Sequence, residues 1–232
     1  MTPKGPEVAT NETGGRRLGL GERATWVRHL PGRDAAVALP LVHHPEHGPT
    51  VVVTTRAAVN GHTRARMSHA GDTVLLGGAL EPGESPARAA LRELLEESGT
   101  LGLLEERDFA VRAALGRWVT ESGFVVDGFL VQAPPCFASA TRPDPREVQE
   151  LVYVRIDDLY AARPHLAHHR VHVADRAGVT GPPATGDWWF ESPTLLVGDV
   201  RGAPRVLWGV AGHMVHRLRE LFPTPDLLLA AG

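Results

Sequence analysis

The stretch from Leu75 to Leu101, LLGGALEPGESPARAALRELLEESGTL, constrains the fold more than any other part of the chain. The apolar run Val74-Leu75-Leu76 predicts a strand, and Gly77-Gly78 after it predicts a permissive turn. Ser85 suits a helix N-cap, and Pro86 suits the first helical position, where its missing N–H costs nothing. Gly99 stands where a left-handed residue ends a helix. These signals predict roughly 13 helical residues, about 20 Å at 1.5 Å each. Ala87, Leu91, Leu94 and Leu95 recur at helical spacing and are expected to face a core.

The opposite face carries Arg92, Glu93, Glu96 and Glu97. Three carboxylates this close repel one another, and Arg88 and Arg92 offset only part of that. A hard divalent cation with oxygen ligands turns such repulsion into binding. Taken alone, the run also fits a solvated acidic helix face. The wider spacing adds the decisive information. Gly78, five residues, Glu84, seven residues and then Arg92-Glu93-Leu94-Leu95-Glu96-Glu97-Ser98-Gly99 match the Nudix hydrolase signature residue by residue. Seven fixed identities arise by chance with a probability of roughly 10⁻⁸ to 10⁻⁹ per start position. The chain therefore resembles the Nudix hydrolases, with one departure: Thr100 stands where the family has an aliphatic residue. The resemblance implies an α/β fold, an α/β/α sandwich built on a mixed β-sheet.

Length and composition set the frame. The 232 residues suffice for one sizeable core, and 43% apolar with 22% charged residues describe an ordinary globular protein. A net charge of −3 gives no reason to expect nucleic acid or a membrane surface as partner. Cys136 is the only cysteine, which excludes an internal disulfide and suits a reducing cytoplasm. No apolar run approaches a membrane span, and the N-terminus lacks an apolar signal core. The expectation is a cytoplasmic enzyme with residues 1–22 as an arm and 23–232 as one domain.

Along the chain, Thr25 to Leu30 suggests a short turn anchored by Trp26. Asp34 to Val42 reads as a strand in which Pro40 points to a bulge or an edge. His43, His44 and His47 fall in a Pro/Gly loop without the spacing of a metal site. Thr50 to Arg56 reads as a buried strand, and a polar, basic loop follows to Ser68. Phe109 to Trp118 and Phe124 to Gln132 read as two strands joined by a hairpin at 119–123. Pro134 to Pro145 is loop-like. Glu147 to Arg155 is a strand, with a short turn or helix from Ile156 to Leu159. Residues 163–187, rich in His, Pro and Gly, suggest an excursion outside the sheet. His165, His168, His169 and His172 lie in it, with no cysteine or carboxylate to complete a zinc set. Trp188 to Val197 returns as a strand. Val206 to Phe222 is an amphipathic helix with a stripe of Leu207, Val210, Met214, Leu218 and Leu221.

Outside the signature, several pieces resemble the coenzyme A diphosphatase branch of the family. They are Val53-Thr54-Thr55-Arg56, His69-Ala70-Gly71, Leu115-Gly116-Arg117, Ser122 to Val126, Glu147-Val148 and Leu207-Trp208-Gly209. Two features depart from that branch: Leu75-Leu76 replaces its Phe-Pro, and about six extra residues separate Arg56 from His69. The resemblance implies hydrolysis of a nucleoside-linked diphosphate by water attack at phosphorus, with Mg²⁺ or Mn²⁺ as cofactor. Glu93, Glu96 and Glu97 are then the metal ligands, and one of them or Glu147 takes the proton from water. Arg92 pairs with Glu84 to hold the loop against the helix. Arg56, His69, Gly77 and Gly78 are the expected substrate contacts, Gly78 also through its carbonyl. With coenzyme A the products would be 4′-phosphopantetheine and 3′,5′-ADP. Other readings are a Nudix hydrolase of ADP-ribose, a dinucleotide or a nucleoside triphosphate, and a non-catalytic Nudix-like regulator. The expected partner is a small-molecule nucleotide, with homodimerisation left open.

Overall fold

The computed structural model describes residues 16–18, 34–57, 71–120, 124–173 and 186–230. The expected turn at 25–30, the loop tip at 121–123 and His69 lie outside them. Within the segment read as an arm, Arg16–Leu18 forms β1. The other strands are β2 (Asp34–His44), β3 (Gly48–Arg56), β4 (Thr73–Val74), β5 (Leu76–Ala79), β6 (Ala110–Val119), β7 (Val125–Gln132), β8 (Val148–Arg155), β9 (His165–Val173), β10 (Gly186–Gly198) and β11 (Pro204–Leu207). The helices are α1 (Pro86–Glu97), α2 (Phe137–Ala140), α3 (Ile156–Ala161), α4 (Gly209–Leu221) and α5 (Pro225–Ala230).

Among the described residues, seven strands form a mixed sheet in which β2 runs parallel to β7 and the remaining pairs are antiparallel. A smaller sheet joins β1, β9, β10 and β11. Alternation along the central strands sends side chains to opposite faces. Ala36, Ala38, Val42 and Val52 pack with Ala89, Ala90, Leu91, Leu94 and Leu95 of α1. Ala35, Leu39, Leu41, Val51 and Val53 pack on the other face with Met214, Val215 and Leu218 of α4 and with Leu195 and Leu207 of the small sheet. The result is the expected α/β sandwich with a mixed sheet between helices.

Several expectations are corrected. Pro40 lies in a central strand, not at an edge. β5 pairs with β2 only through Ala38, and β3 begins pairing at Leu41, so that flank of β2 is open at Pro40. The Leu41 carbonyl accepts from the Ala133 N–H on the β7 side. By alternation the nitrogen of Pro40 faces the gap, where no ladder bond is lost. Gly77 and Gly78 are not a turn but part of β5, paired with Val37 and Ala36. The 163–187 excursion contains β9, which pairs with β10 from Gly186↔Val173 to Thr194↔His165. Within the expected loop at 134–145 lies the short helix α2. The last amphipathic helix starts at Gly209, because Leu207 belongs to β11, and Leu221 is exposed while Ala211 and Val215 are buried. His43 and His44 are on β2, with the His44 ring against His47 and edge-on to Tyr153.

An ion network joins the two sheets. Asp199, at the turn between β10 and β11, accepts from Arg205 Nη2 at 2.8 Å, Arg201 Nη2 at 3.2 Å and the backbone N–H groups of Ala203 and Arg201 at 2.9 Å. Burial opposes ionisation of Asp199, yet these donors outweigh it and bring its pKa down to about 2 from an ordinary 3.8. A depressed carboxylate stabilises the fold above 3.8 and loses that contribution as pH falls through about 2. Asp199→Asn should therefore cost about 2 kcal/mol at neutral pH. Acid titration of the unfolding free energy should also show a shallower slope for the variant below 3.8. An unchanged slope would contradict the assignment.

Candidate active site

Helix α1 forms as its sequence dictates. The Ser85 hydroxyl accepts from the Arg88 N–H at 3.4 Å, and Pro86 occupies the first turn. At the other end Gly99 has φ +68°, and the Thr100 N–H returns to the Leu95 carbonyl at 3.0 Å. A side chain at Gly99 would also collide with the Arg142 carbonyl. Thr100, the departure from the signature, is fully buried, and its hydroxyl meets that of Ser98 at 2.8 Å. The pair explains how a polar residue replaces an aliphatic one. Ser98→Ala should cost about 1–2 kcal/mol by leaving Thr100 with one partner fewer. Thr100→Val added to it should recover most of that loss in denaturant unfolding.

The glutamates of α1 are not equivalent. Glu97 reaches down to the sheet, where the Gly77 N–H donates to its Oε2 at 2.9 Å. Glu93, one turn earlier, lies against Gly78, where any Cβ would strike its carboxylate. A side chain at 78 would therefore displace the Glu93 carboxylate from its place on the strand. Glu96 is exposed and its carboxylate lies 3.4 Å from Arg92 Nη1. Arg92 is the hub: Nε and Nη2 donate to the two oxygens of Glu84 at 3.0 and 3.1 Å, Nη1 to Glu93 Oε1 at 2.8 Å, and Nη2 to the Ala79 carbonyl at 3.0 Å. Glu84 also accepts from the Glu81 N–H. The expected clamp between the loop and the helix is present.

Charge is concentrated here. Burial pushes the Glu97 carboxyl up to about 7; the Gly77 hydrogen bond and the Arg56 charge oppose this, while Glu93 and Glu147 add to it. Burial likewise raises Glu93 against the pull of Arg92. The hydrogen bond to Arg92 lowers Glu84. Arg56 and Glu147 are therefore within electrostatic reach of Glu97. Their backbones are adjacent too, since the Ala57 N–H donates to the Glu147 carbonyl at 3.2 Å.

Beside these groups lies a cleft of about 330 Å³. Arg56, Gly77 and Gly78 line it near the glutamates, and Phe124, Trp208 and Val210 are also in its lining. The buried Nε–H of Arg56 makes no hydrogen bond to any described residue. Sequence reasoning reads Phe124 and Trp208 as parts of separate elements; only the fold brings both to one cleft. The Trp208-Gly209 pair before a helix is the one local signal that points there.

The acidic set suits a hard divalent ion through its chemistry. Glu93 and Glu97 are both held above the usual carboxylate range, and each adds unfavourable charge to a crowded site. Among the described residues no three His, Cys, Asp or Glu side chains form a ready cage. Mg²⁺ keeps several waters and needs only one or two carboxylates, so the site fits it.

Over 72 residues the chain is 42% identical to the octanoyltransferase of Myxococcus xanthus, a match covering 31% of this chain and 20% of that protein. The chain thus spans a small part of that relative's length. Similar solved structures include the Nudix hydrolase RenU from M. smegmatis, 24% identical, covering 66% of this chain and 82% of that one with a TM-score of 0.39. A MutT/nudix family protein from Enterococcus faecalis is 15% identical, covering 93% and 75% with a TM-score of 0.43. The NUDIX domain model matches residues 32–176, more than half of the chain, and that span holds the whole of α1 and the strand beneath it. The chain belongs to the Nudix family.

Proposed function

We propose that this Nudix pyrophosphohydrolase cleaves a nucleoside diphosphate linked to a second moiety, with coenzyme A or a derivative as the favoured substrate. The observation that carries the reading is the arrangement around β5. Gly77 is bonded to Glu97 and Gly78 lies against Glu93, and both glycines line the cleft together with Arg56. A diphosphate lying on the glycines meets carboxylates for a metal and a guanidinium for phosphate oxygens. Preference for coenzyme A rests on the sequence pieces from Val53 to Gly209 that resemble that branch.

Glu93 and Glu97, with Glu96 at the exposed rim, would hold Mg²⁺ or Mn²⁺. The ion, when bound, shields phosphoryl charge and lowers the pKa of water. Glu147 is the proposed base, taking the proton as water oxygen bonds to phosphorus and the bridging oxygen departs with its electron pair. Arg56 orients the diphosphate, and Gly78 lets it approach the backbone. Arg92 keeps Glu93 in place. His69, outside the described residues, is proposed as a second phosphate contact.

Product release from coenzyme A, ADP-ribose, NADH and nucleoside triphosphates, with Mg²⁺, Mn²⁺ or chelator, tests the reading. Metal-dependent release of 4′-phosphopantetheine and 3′,5′-ADP is the expected result. Cleavage of another member alone would discard coenzyme A and keep the chemistry. No cleavage of any would overturn both.

A further inference from the structure

We infer that the ion network Asp199–Arg205–Glu150–Thr55 positions Arg56 for phosphate binding, which makes Arg205 a positioning residue for the proposed reaction. The inference rests on the reading of Arg56 as a diphosphate ligand and adds what holds it in place.

The connection can be followed atom by atom. Arg205 Nη2 donates to Asp199 Oδ2 at 2.8 Å, and its Nη1 lies 2.7 Å from Glu150 Oε1 and donates to Thr55 Oγ1 at 3.2 Å. The Thr55 hydroxyl donates to the same Glu150 oxygen at 3.2 Å. Arg201 Nη2 takes the other Glu150 oxygen at 2.6 Å, so this carboxylate is held at both ends. Arg205 is largely buried, with its side chain 14% exposed.

This network grips the chain at a point of irregular pairing. Thr55 pairs with Glu150 but Arg56 pairs with Val148, which leaves Gln149 as an extra residue between them. A bulge re-aims the side chains beside it. Here the residue after the shift is Arg56, whose Nε–H is buried at the cleft without a described partner. Its backbone is tied on the other side as well, by N–H donation to the Asp72 carbonyl and acceptance from the Gly71 N–H. An arginine side chain carries about 2 kcal/mol of rotamer entropy. Fixing its root beforehand leaves less to be lost on binding. The turn at Asp199 and strand β11, distant in sequence, thereby contribute to phosphate affinity without touching substrate.

The test compares Arg205→Met, Thr55→Val, Arg56→Ala and the Arg205→Met/Arg56→Ala double variant. The readouts are ADP binding by calorimetry in chelator, and KM and kcat for the panel substrate that the wild type cleaves. Thr55→Val removes the hydroxyl link and leaves the ion pairs, so it reports positioning even where Arg205→Met lowers stability. Arg56→Ala should weaken ADP about tenfold and raise KM. Arg205→Met should weaken ADP about fivefold, with kcat within twofold of wild type, and Thr55→Val about threefold. The double variant should be no weaker than Arg56→Ala. A fall in thermal midpoint with unchanged Kd and KM in both network variants would overturn the inference and leave the role of Arg56 standing. Additive losses in the double variant would overturn it too. Unchanged binding in Arg56→Ala would overturn the reading of Arg56, and the inference with it.

Discussion

Glu97→Gln should lower kcat by roughly 10²–10⁴-fold while the protein remains folded. The amide keeps the size of the carboxylate, and its oxygen can still accept from the Gly77 N–H, so strand β5 stays joined to α1. What it removes is the negative charge that the proposed metal site calls for. In the metal-free protein the thermal midpoint should be equal or higher. A carboxyl whose folded pKa is raised costs stability above its ordinary 4.5, and the cost grows as pH rises through about 7. Circular dichroism and a metal-dependence curve separate the outcomes. Full turnover in the variant would mean that Glu97 is not at the chemistry.

Arg92→Met should affect both stability and activity. It leaves the carboxylates of Glu84 and Glu93, 11% and 17% exposed, without the guanidinium that joins them. Removing one partner of a buried pair costs several kcal/mol, and partial exposure brings the expectation to about 2 kcal/mol. For a chain of this size that is a fall of roughly 4–8 °C in thermal midpoint. Glu93 would also lose its tether, so kcat should fall at least tenfold. Lysine at this position should recover little, because one ammonium cannot reproduce the two-pronged bond to Glu84. A midpoint within a degree of wild type would show that the clamp carries no stability.

The parts of this architecture that were legible in the sequence are the local ones. Ser85, Pro86 and Gly99 mark the ends of α1 because caps act over a few residues, and the burial of Leu91, Leu94 and Leu95 follows from periodicity. Gly77-Gly78 was harder to read: glycine signals a turn or a close approach equally well. The choice depended on Glu93, which is distant in sequence and packs on the strand. Pro40 misled for a similar reason, since its lost donor matters only where a neighbouring strand would accept it. The stripe from Leu207 to Leu218 packs in the core as its periodicity implies, but Leu207 does so from β11 rather than from the helix, and Leu221 is exposed. The bulge beside Arg56 has no local signature, and the meeting of Phe124 and Trp208 has only the Trp208-Gly209 pair to hint at it. Both arise from pairing between residues far apart in the chain.

The bond from Gly77 to Glu97 has a practical consequence. Its donor belongs to the main chain, so no ordinary side-chain replacement deletes it, and proline alone among the standard residues would. The same amide proton sits directly on a carboxylate that burial pushes up to about 7. Its nuclear resonance should move when that carboxylate gains a proton or a cation. A single ¹⁵N-labelled glycine thus offers a built-in gauge of site loading, readable before any substrate is known.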